Sequence, residues 1–164
     1  MSILRRRDKQ PQPEGLERGE RVLASAALAD GGVLAVTTYR LVVDGEQPER
    51  CPWHLVDGGG WRPERDEIWA TFVDGREPGA WVLPDPGPVT DAFRERVQAS
   101  VVLTEHVGVD RRDKARVVLR KDLATGALSV QTIYSEGADP DRPELKEQVD
   151  DALARLAEHV GLER

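Results

Sequence analysis

The fold is decided by the stretch 21-RVLASAALADGGVLAVTTYRLVVDG-45, in which apolar side chains recur at every second position. Such alternation places one set of side chains on one face of a β-strand. Asp30-Gly31-Gly32 and Asp44-Gly45 predict turns, because glycine adopts the left-handed conformation without a Cβ clash. The run 33–43 is long for a single strand, so we expect a break near Thr38-Tyr39. The stretch therefore predicts three antiparallel strands.

The same rhythm continues as far as Pro84. Further extended segments bring the strand candidates to seven, and they lie at 51–56, from Trp61, at 68–73 and at 81–83. Gly58-Gly59-Gly60 predicts a turn or bulge between two of them. Turns at intervals of about 8–12 residues are typical of an antiparallel barrel or sandwich.

A proline-rich segment, 84–88, ends the sheet, and the apolar period then becomes that of a helix. The predicted helix carries one apolar stripe, formed by Phe93, Val97 and Val101. Thr90 is the expected N-cap, through its hydroxyl. The segment 101–109 is rich in β-branched residues, and both a continued helix and a strand remain open there.

The C-terminal part predicts a hairpin followed by a helix. Segments 116–121 and 128–134 flank a turn at Ala124-Thr125-Gly126. An apolar stripe at helical spacing then runs through Leu145, Val149, Leu153, Leu156 and Val160. Gly161 is the expected C-terminal stop. We expect this amphipathic helix to pack on the hairpin or on a partner.

The predicted class is therefore α+β. A mainly antiparallel barrel or sandwich of about seven strands, capped by a helix, precedes a β-hairpin and a C-terminal helix. Three parts are expected: a flexible lead-in over 1–19, the capped barrel over 20–107, and the hairpin with its amphipathic helix over 108–164.

Charge and composition exclude several classes of function. A net charge of −7 argues against a general nucleic-acid-binding protein, which needs a basic surface to displace counterions. Arg5-Arg6-Arg7 is interpreted as part of a solvated tail. A single cysteine, Cys51, excludes an internal disulfide and fits a cytoplasmic protein. No apolar run is long enough for a membrane span, so we expect no integral membrane segment.

No catalytic, cofactor-binding or metal-binding residue is predicted. Cys51 and His54 are three positions apart in an extended segment and so point to opposite faces, which argues against a thiolate–imidazole pair. One cysteine and three scattered histidines do not supply a zinc site. Gly58-Gly59-Gly60 lacks the Lys-Ser/Thr and the helix that a phosphate-binding loop needs.

Several segments resemble the bacterial, GRAM-type branch of the pleckstrin-homology-like superfamily. They are Gly19–Ala24, Asp30–Thr37, Tyr39–Val43, Pro52-Trp53 and Trp61. The resemblance covers about residues 19–103 and implies a partly open two-sheet barrel plugged by a helix. Members of the family mostly bind lipids, peptides or proteins and are not enzymes. The loop that carries the basic lipid pocket in that family reads Ala29-Asp30-Gly31-Gly32 here, without Lys or Arg, so phosphoinositide binding is not expected.

These observations predict a non-catalytic binding or scaffold module that contacts a protein partner or a second copy of itself. The expected interaction surface comprises Trp69, Trp61, Tyr39 and Arg40. Trp69 should lie on the outer face of its strand, because Ile68, Ala70 and Phe72 take the inner one, and we expect the C-terminal part or a second copy to cover it. The alternative is a small-ligand-binding protein or an enzyme with a pocket at the barrel mouth, whose polar groups would be Tyr39, Arg40, His54 and His106.

Overall fold

The computed structural model describes residues 10–161, and over these residues the protein is α+β, with three antiparallel sheets and two α-helices. The strands are β1 Val22–Ala27, β2 Val33–Thr37, β3 Arg40–Asp44, β4 Glu49–Pro52, β5 Val56–Arg62, β6 Glu67–Phe72, β7 Gly79–Val82, β8 Val101–Gly108, β9 Lys114–Lys121 and β10 Leu128–Tyr134. The helices are α1 Val89–Ser100 and α2 Pro143–His159. Neither helix is long and apolar enough to cross a membrane.

The first seven strands form two sheets that share one core with α1. Strands β1-β2-β3-β4 form the first sheet, and β5-β6-β7 form the second. Their inner side chains pack into one buried cluster, which includes Leu34, Leu41, Trp53, Ile68, Trp81 and Phe93. The number of strands and the break between Thr37 and Arg40 are confirmed. The closed barrel is not confirmed, because no ladder joins the two sheets.

Three local expectations are wrong. The segment 51–56 is not one strand, because a 3₁₀ turn at Trp53–Leu55 separates β4 from β5. Trp61 stands near the end of β5 and does not begin another strand. A bulge is present near Gly58–Gly60, as a register irregularity between Val56 and Gly58, but it lies inside β5 and not between two strands. The N-cap of α1 is Pro88 and makes no side-chain hydrogen bond, so Thr90 does not cap the helix. The order of the strands was predictable from the apolar period, whereas these ends depend on tertiary packing.

The lead-in lies over the outer face of the first sheet. Ala35 and Val42 point away from the shared core and are nevertheless fully buried. Ser25, which pairs with Ala35, donates a hydrogen bond to the carbonyl of Pro11, and Arg50, which pairs with Val42, donates to the carbonyl of Glu14. This contact explains why β2 and β3 are apolar on both faces. Residues 1–9 of the predicted flexible lead-in, with Arg5-Arg6-Arg7, lie outside the described residues.

The third sheet has the order β10-β9-β8 and carries α2 on one face. Ala115 and Val117 of β9 pack against the buried side chains of α2, namely Leu145, Val149, Ala152 and Leu156. The apolar stripe thus packs on the hairpin of the same chain. The alternative left open for 101–109 is resolved in favour of a strand, since β8 pairs with β9 from Val101 to Gly108.

Candidate functional site

The four residues of the predicted interaction surface do not lie together. Trp61 and Trp69 are on β5 and β6 of the second sheet, whereas Tyr39 and Arg40 follow β2 of the first sheet. Trp61 packs against the shared core and is half-buried. The four residues therefore do not form one continuous patch.

Trp69 lies on the outer face of β6, opposite to the buried Ile68 and Ala70, as predicted. Its ring extends over the neighbouring strand at Gly60, where a Cβ would stand 3.4 Å from Nε1. The guanidinium of Arg62 stacks on the ring, 5.0 Å from its centroid. Intramolecular contacts therefore cover part of this ring, and Glu67 holds Arg62 in place through an ion pair of 2.6 Å.

The Arg40 guanidinium is already bound by hydrogen bonds to other residues of the chain. Its Nε and one terminal nitrogen donate to the two carboxylate oxygens of Glu20, each at 3.0 Å, and it also donates to the carbonyl of Gly15. Burial alone would raise the pKa of Glu20, but hydrogen bonds from Arg40, the Glu17 N–H and Thr37 outweigh it and hold the pKa below its usual value. The network fixes the lead-in against β3, and Arg40 is only 14% exposed.

The Cys51 thiol is fully buried in β4, and burial raises its pKa to about 12. A thiol with that pKa remains protonated near neutral pH and is a poor nucleophile. Burial likewise lowers the pKa of His54, whose Nδ1 stands 4.0 Å from an oxygen of Asp122 and makes no hydrogen bond. The two side chains do not combine into a nucleophile and a base. Within residues 10–161, no cluster of three His, Cys, Asp or Glu could hold a metal ion.

A buried arginine joins the third sheet to the rest of the protein. Arg120 of β9 is 1% exposed and donates to the carbonyls of Trp53 and Val56 and to the hydroxyl of Ser100 at 2.7–2.9 Å. On β10, the side-chain amide of Gln131 donates to the carbonyl of His54 at 2.7 Å. These bonds seat the inner face of the third sheet on the short 3₁₀ turn at 53–55, and leave its far edge free.

That free edge is β8, the most exposed strand of the protein. Val101, Val102 and Leu103 are 36–46% exposed at the start of this strand, where the register with β9 shifts between Val101 and Leu103. One side of β8 is bonded to β9, and its other side has no neighbouring strand among residues 10–161. The opposite edge, β10, is partly covered, because Thr132 and Ile133 line a cleft with Phe72 and Val73 of the first seven strands. Unpaired backbone N–H and C=O groups along an apolar edge are a template for a further strand.

Sequence reasoning left β8 open between a strand and a continued helix, because its first residue, Val101, continues the apolar stripe of α1. The valines at 101, 102 and 107 favoured the strand. Of the polar groups proposed for a barrel-mouth pocket, His106 is exposed on β8 and His54 is half-buried beside β10. The N–H of Trp53 donates to the carbonyl of Tyr39, so His54 lies in the same region as Tyr39 and Arg40, whereas His106 lies on the third sheet.

Comparison of the chain with protein-family models, with curated proteins and with solved structures finds no match.

Proposed function

We propose that the protein is a non-catalytic protein-binding module that receives an extended segment of a partner chain along β8. The observation that carries the proposal is the exposed apolar edge from Val101 to Leu103. Strand addition satisfies the free main-chain groups of such an edge and buries alternate side chains of the incoming segment.

Charge favours a different protein over a second copy as the occupant. Helix α2 packs beside β8, where Arg155 pairs with Glu105, and Gln148 accepts a hydrogen bond from Gly108. The helix carries five carboxylates against two cations. Antiparallel pairing of two β8 strands would bring two such acidic helices side by side, at an electrostatic cost. A segment with alternating apolar residues and flanking Lys or Arg meets no such repulsion.

We infer a pleckstrin-homology-like arrangement for the first seven strands and α1. Its support is the sequence of a four-stranded sheet, a three-stranded sheet and a helix that packs on both. The family resemblance of the sequence agrees with a binding role, and the third sheet with α2 is then an addition that supplies the docking edge.

The test uses peptides selected from a random phage-displayed library against the full chain. Selected peptides should bind with a Kd that rises at least about tenfold in Val102→Lys and in Leu103→Asp, because a charge would be buried under the added strand. Leu23→Asp is the matched control, since Leu23 is 42% exposed on β1, an edge strand of another sheet. Affinity is measured by fluorescence anisotropy, and backbone amide shifts locate the peptide.

Three results would contradict the proposal. Selected peptides could bind Leu103→Asp as tightly as the parent protein. Their amide shifts could map away from 101–108. Light scattering across concentrations could show a dimer that Val102→Lys dissociates, which would make a second copy the occupant.

A further inference from the structure

A second surface, unrelated to β8, gathers positive charge in an acidic protein. A cleft of about 410 Å³ lies between the β2–β3 turn, α1 and the β9–β10 hairpin. The residues that line it are Gly19, Arg21, Thr38, Tyr39, Arg96, Lys121, Asp122, Leu123 and Gly126. Three cations and one carboxylate therefore meet there, although the whole chain carries a net charge of −7.

Two of the three cations of this cleft lack an acidic partner among the described residues. Within residues 10–161, neither Arg21 nor Lys121 has a carboxylate within 4 Å, and Arg96 pairs only with the adjacent Glu95. The Nε of Arg96 is buried and makes no hydrogen bond. The contact with Glu95 uses only one terminal nitrogen of Arg96, so the guanidinium keeps donor capacity for a further acceptor. By contrast with Arg21, several other arginines lie within 4 Å of a carboxylate that is not their chain neighbour, among them Arg40, Arg50, Arg62, Arg76, Arg116 and Arg142.

The single acid of the cleft does not neutralise the three cations. Asp122 accepts a hydrogen bond from the N–H of Ala124 at 2.9 Å, and its carboxylate stands near His54. The phenol of Tyr39 lies beside Gly19, where a Cβ would stand 3.1 Å from the hydroxyl oxygen. A hydroxyl donor at the rim and two arginines that present planar N–H groups suit a multivalent oxyanion.

We propose that this cleft binds a phosphoryl group carrying at least two negative charges. Arg21 and Lys121 contribute exposed charge from opposite sides, and Arg96 contributes a partly buried guanidinium from α1. The same phosphoryl chemistry is available from a free phosphorylated compound or from the headgroup of a phospholipid, and two arms of the experiment distinguish these sources.

The first arm titrates pyrophosphate into the full chain by calorimetry, and the second sediments the protein with vesicles of phosphatidylcholine containing phosphatidic acid. Lys121→Gln and Arg96→Gln should each weaken binding about tenfold, as expected for the loss of one charge-assisted contact. Arg94→Gln is the matched control, because Arg94 is an exposed residue of the same helix outside the cleft. Lys121 is exposed to solvent at the end of β9, so its replacement should leave the fold intact.

Pyrophosphate binding without sedimentation supports the site and assigns it to a soluble ligand. Sedimentation that both substitutions abolish supports the site and assigns it to a headgroup. The proposal is overturned if neither probe binds, if binding survives both Lys121→Gln and Arg96→Gln, or if Arg94→Gln weakens it equally.

Discussion

Gly59→Ala should lower the free energy of unfolding far more than Gly58→Ala does. A Cβ at Gly59 would stand 2.5 Å from Cζ of Phe93 and 2.5 Å from the carbonyl oxygen of Trp69. Ordinary carbon contacts are about 3.5–4.0 Å, so the overlap is about 1 Å. Phe93 is 2% exposed and is held edge-on against Trp53, with ring centroids 5.7 Å apart. Neither the Phe93 ring nor the Trp69 carbonyl can move away from an added methyl group without disturbing its own packing.

Overpacking of this kind costs about 1–3 kcal/mol, and two fixed neighbours place Gly59→Ala at the upper end. The loss of backbone freedom in the unfolded chain offsets about 0.4–1 kcal/mol, which leaves a net loss of about 2 kcal/mol. Gly58→Ala is the control, because its nearest atom is Oγ1 of Thr71 at an ordinary 3.4 Å. Its free energy of unfolding should change by less than about 1 kcal/mol.

Urea unfolding followed by far-UV circular dichroism measures both variants. Gly59→Ala should lower the midpoint with an unchanged m-value, and should lower Tm by about 4–8 °C for a chain of this length. Equal stability of the two variants would refute the reasoning, since it would mean that α1 does not press Phe93 against β5. Stability of Gly59→Ala at the level of the parent protein would have the same consequence.

Glu20→Gln should cost about 3 kcal/mol at pH 7, because the partly buried Arg40 loses its main partner. The pKa of Glu20 is lower in the folded state, so the unfolded chain takes up its proton first as the pH falls. Stability of the parent protein should therefore decline from pH 5 to 3, and urea midpoints should show a shallower decline in the variant. Cys51 should react with a disulfide reagent at pH 8 only as fast as the protein unfolds, and rapid labelling under native conditions would contradict its burial. Arg120→Met should lower the free energy of unfolding by about 2 kcal/mol, since three acceptors lose their donor. Arg116→Met breaks a half-exposed pair with Asp57 and should cost less than about 1 kcal/mol in the same urea titration.

The strand order was predictable because side-chain alternation and turn residues act locally. The run 33–43 shows both its apolar period and its break at Thr38-Tyr39 without reference to the rest of the chain. The C-terminal helix was predictable for the same reason, since Leu145, Val149 and Leu156 mark its buried face.

The glycine run shows where local reasoning ends. Gly58–Gly60 looks like a flexible turn, yet two of its members have a packing role in a strand. Gly59 admits the ring of Phe93, and Gly60 lies under the indole of Trp69. Both contacts join residues distant in sequence, and neither leaves a periodic signal. The resemblance implied two sheets, but the place where the chain passes from one to the other, between β4 and β5, leaves no local signal, because the ladder partners of an edge strand are set by tertiary packing.

The interaction surface was harder still to predict. The sequence shows which residues are large or charged, but not which of them already have a hydrogen-bond or ion-pair partner within the chain. Arg40 is a strong candidate by type, but Glu20 pairs with it. Arg96 and Lys121 carry no motif, but the fold places them at one cleft, where within residues 10–161 Lys121 has no carboxylate within 4 Å and Arg96 pairs only with the adjacent Glu95. Ion pairs between distant residues therefore decide which charges remain available to a ligand, and only the structure shows them.

Arg120 explains why β8 is held in the position that exposes it. The strand leaves the end of α1 without an intervening loop, and its first residue, Val101, pairs with Arg120 on β9. Among residues 10–161 the guanidinium has no carboxylate within 4 Å, but it bonds to Ser100 at the C-terminal end of α1, where the helix dipole favours a cation. Its bonds to Ser100 and to the carbonyls around the 53–55 turn fix the direction in which the chain enters β8. Because this anchor is buried and all its acceptors belong to the first seven strands and α1, the apolar edge is presented by a rigid junction and not by a loop. A rigid edge loses little conformational entropy when a partner strand is added, which favours binding.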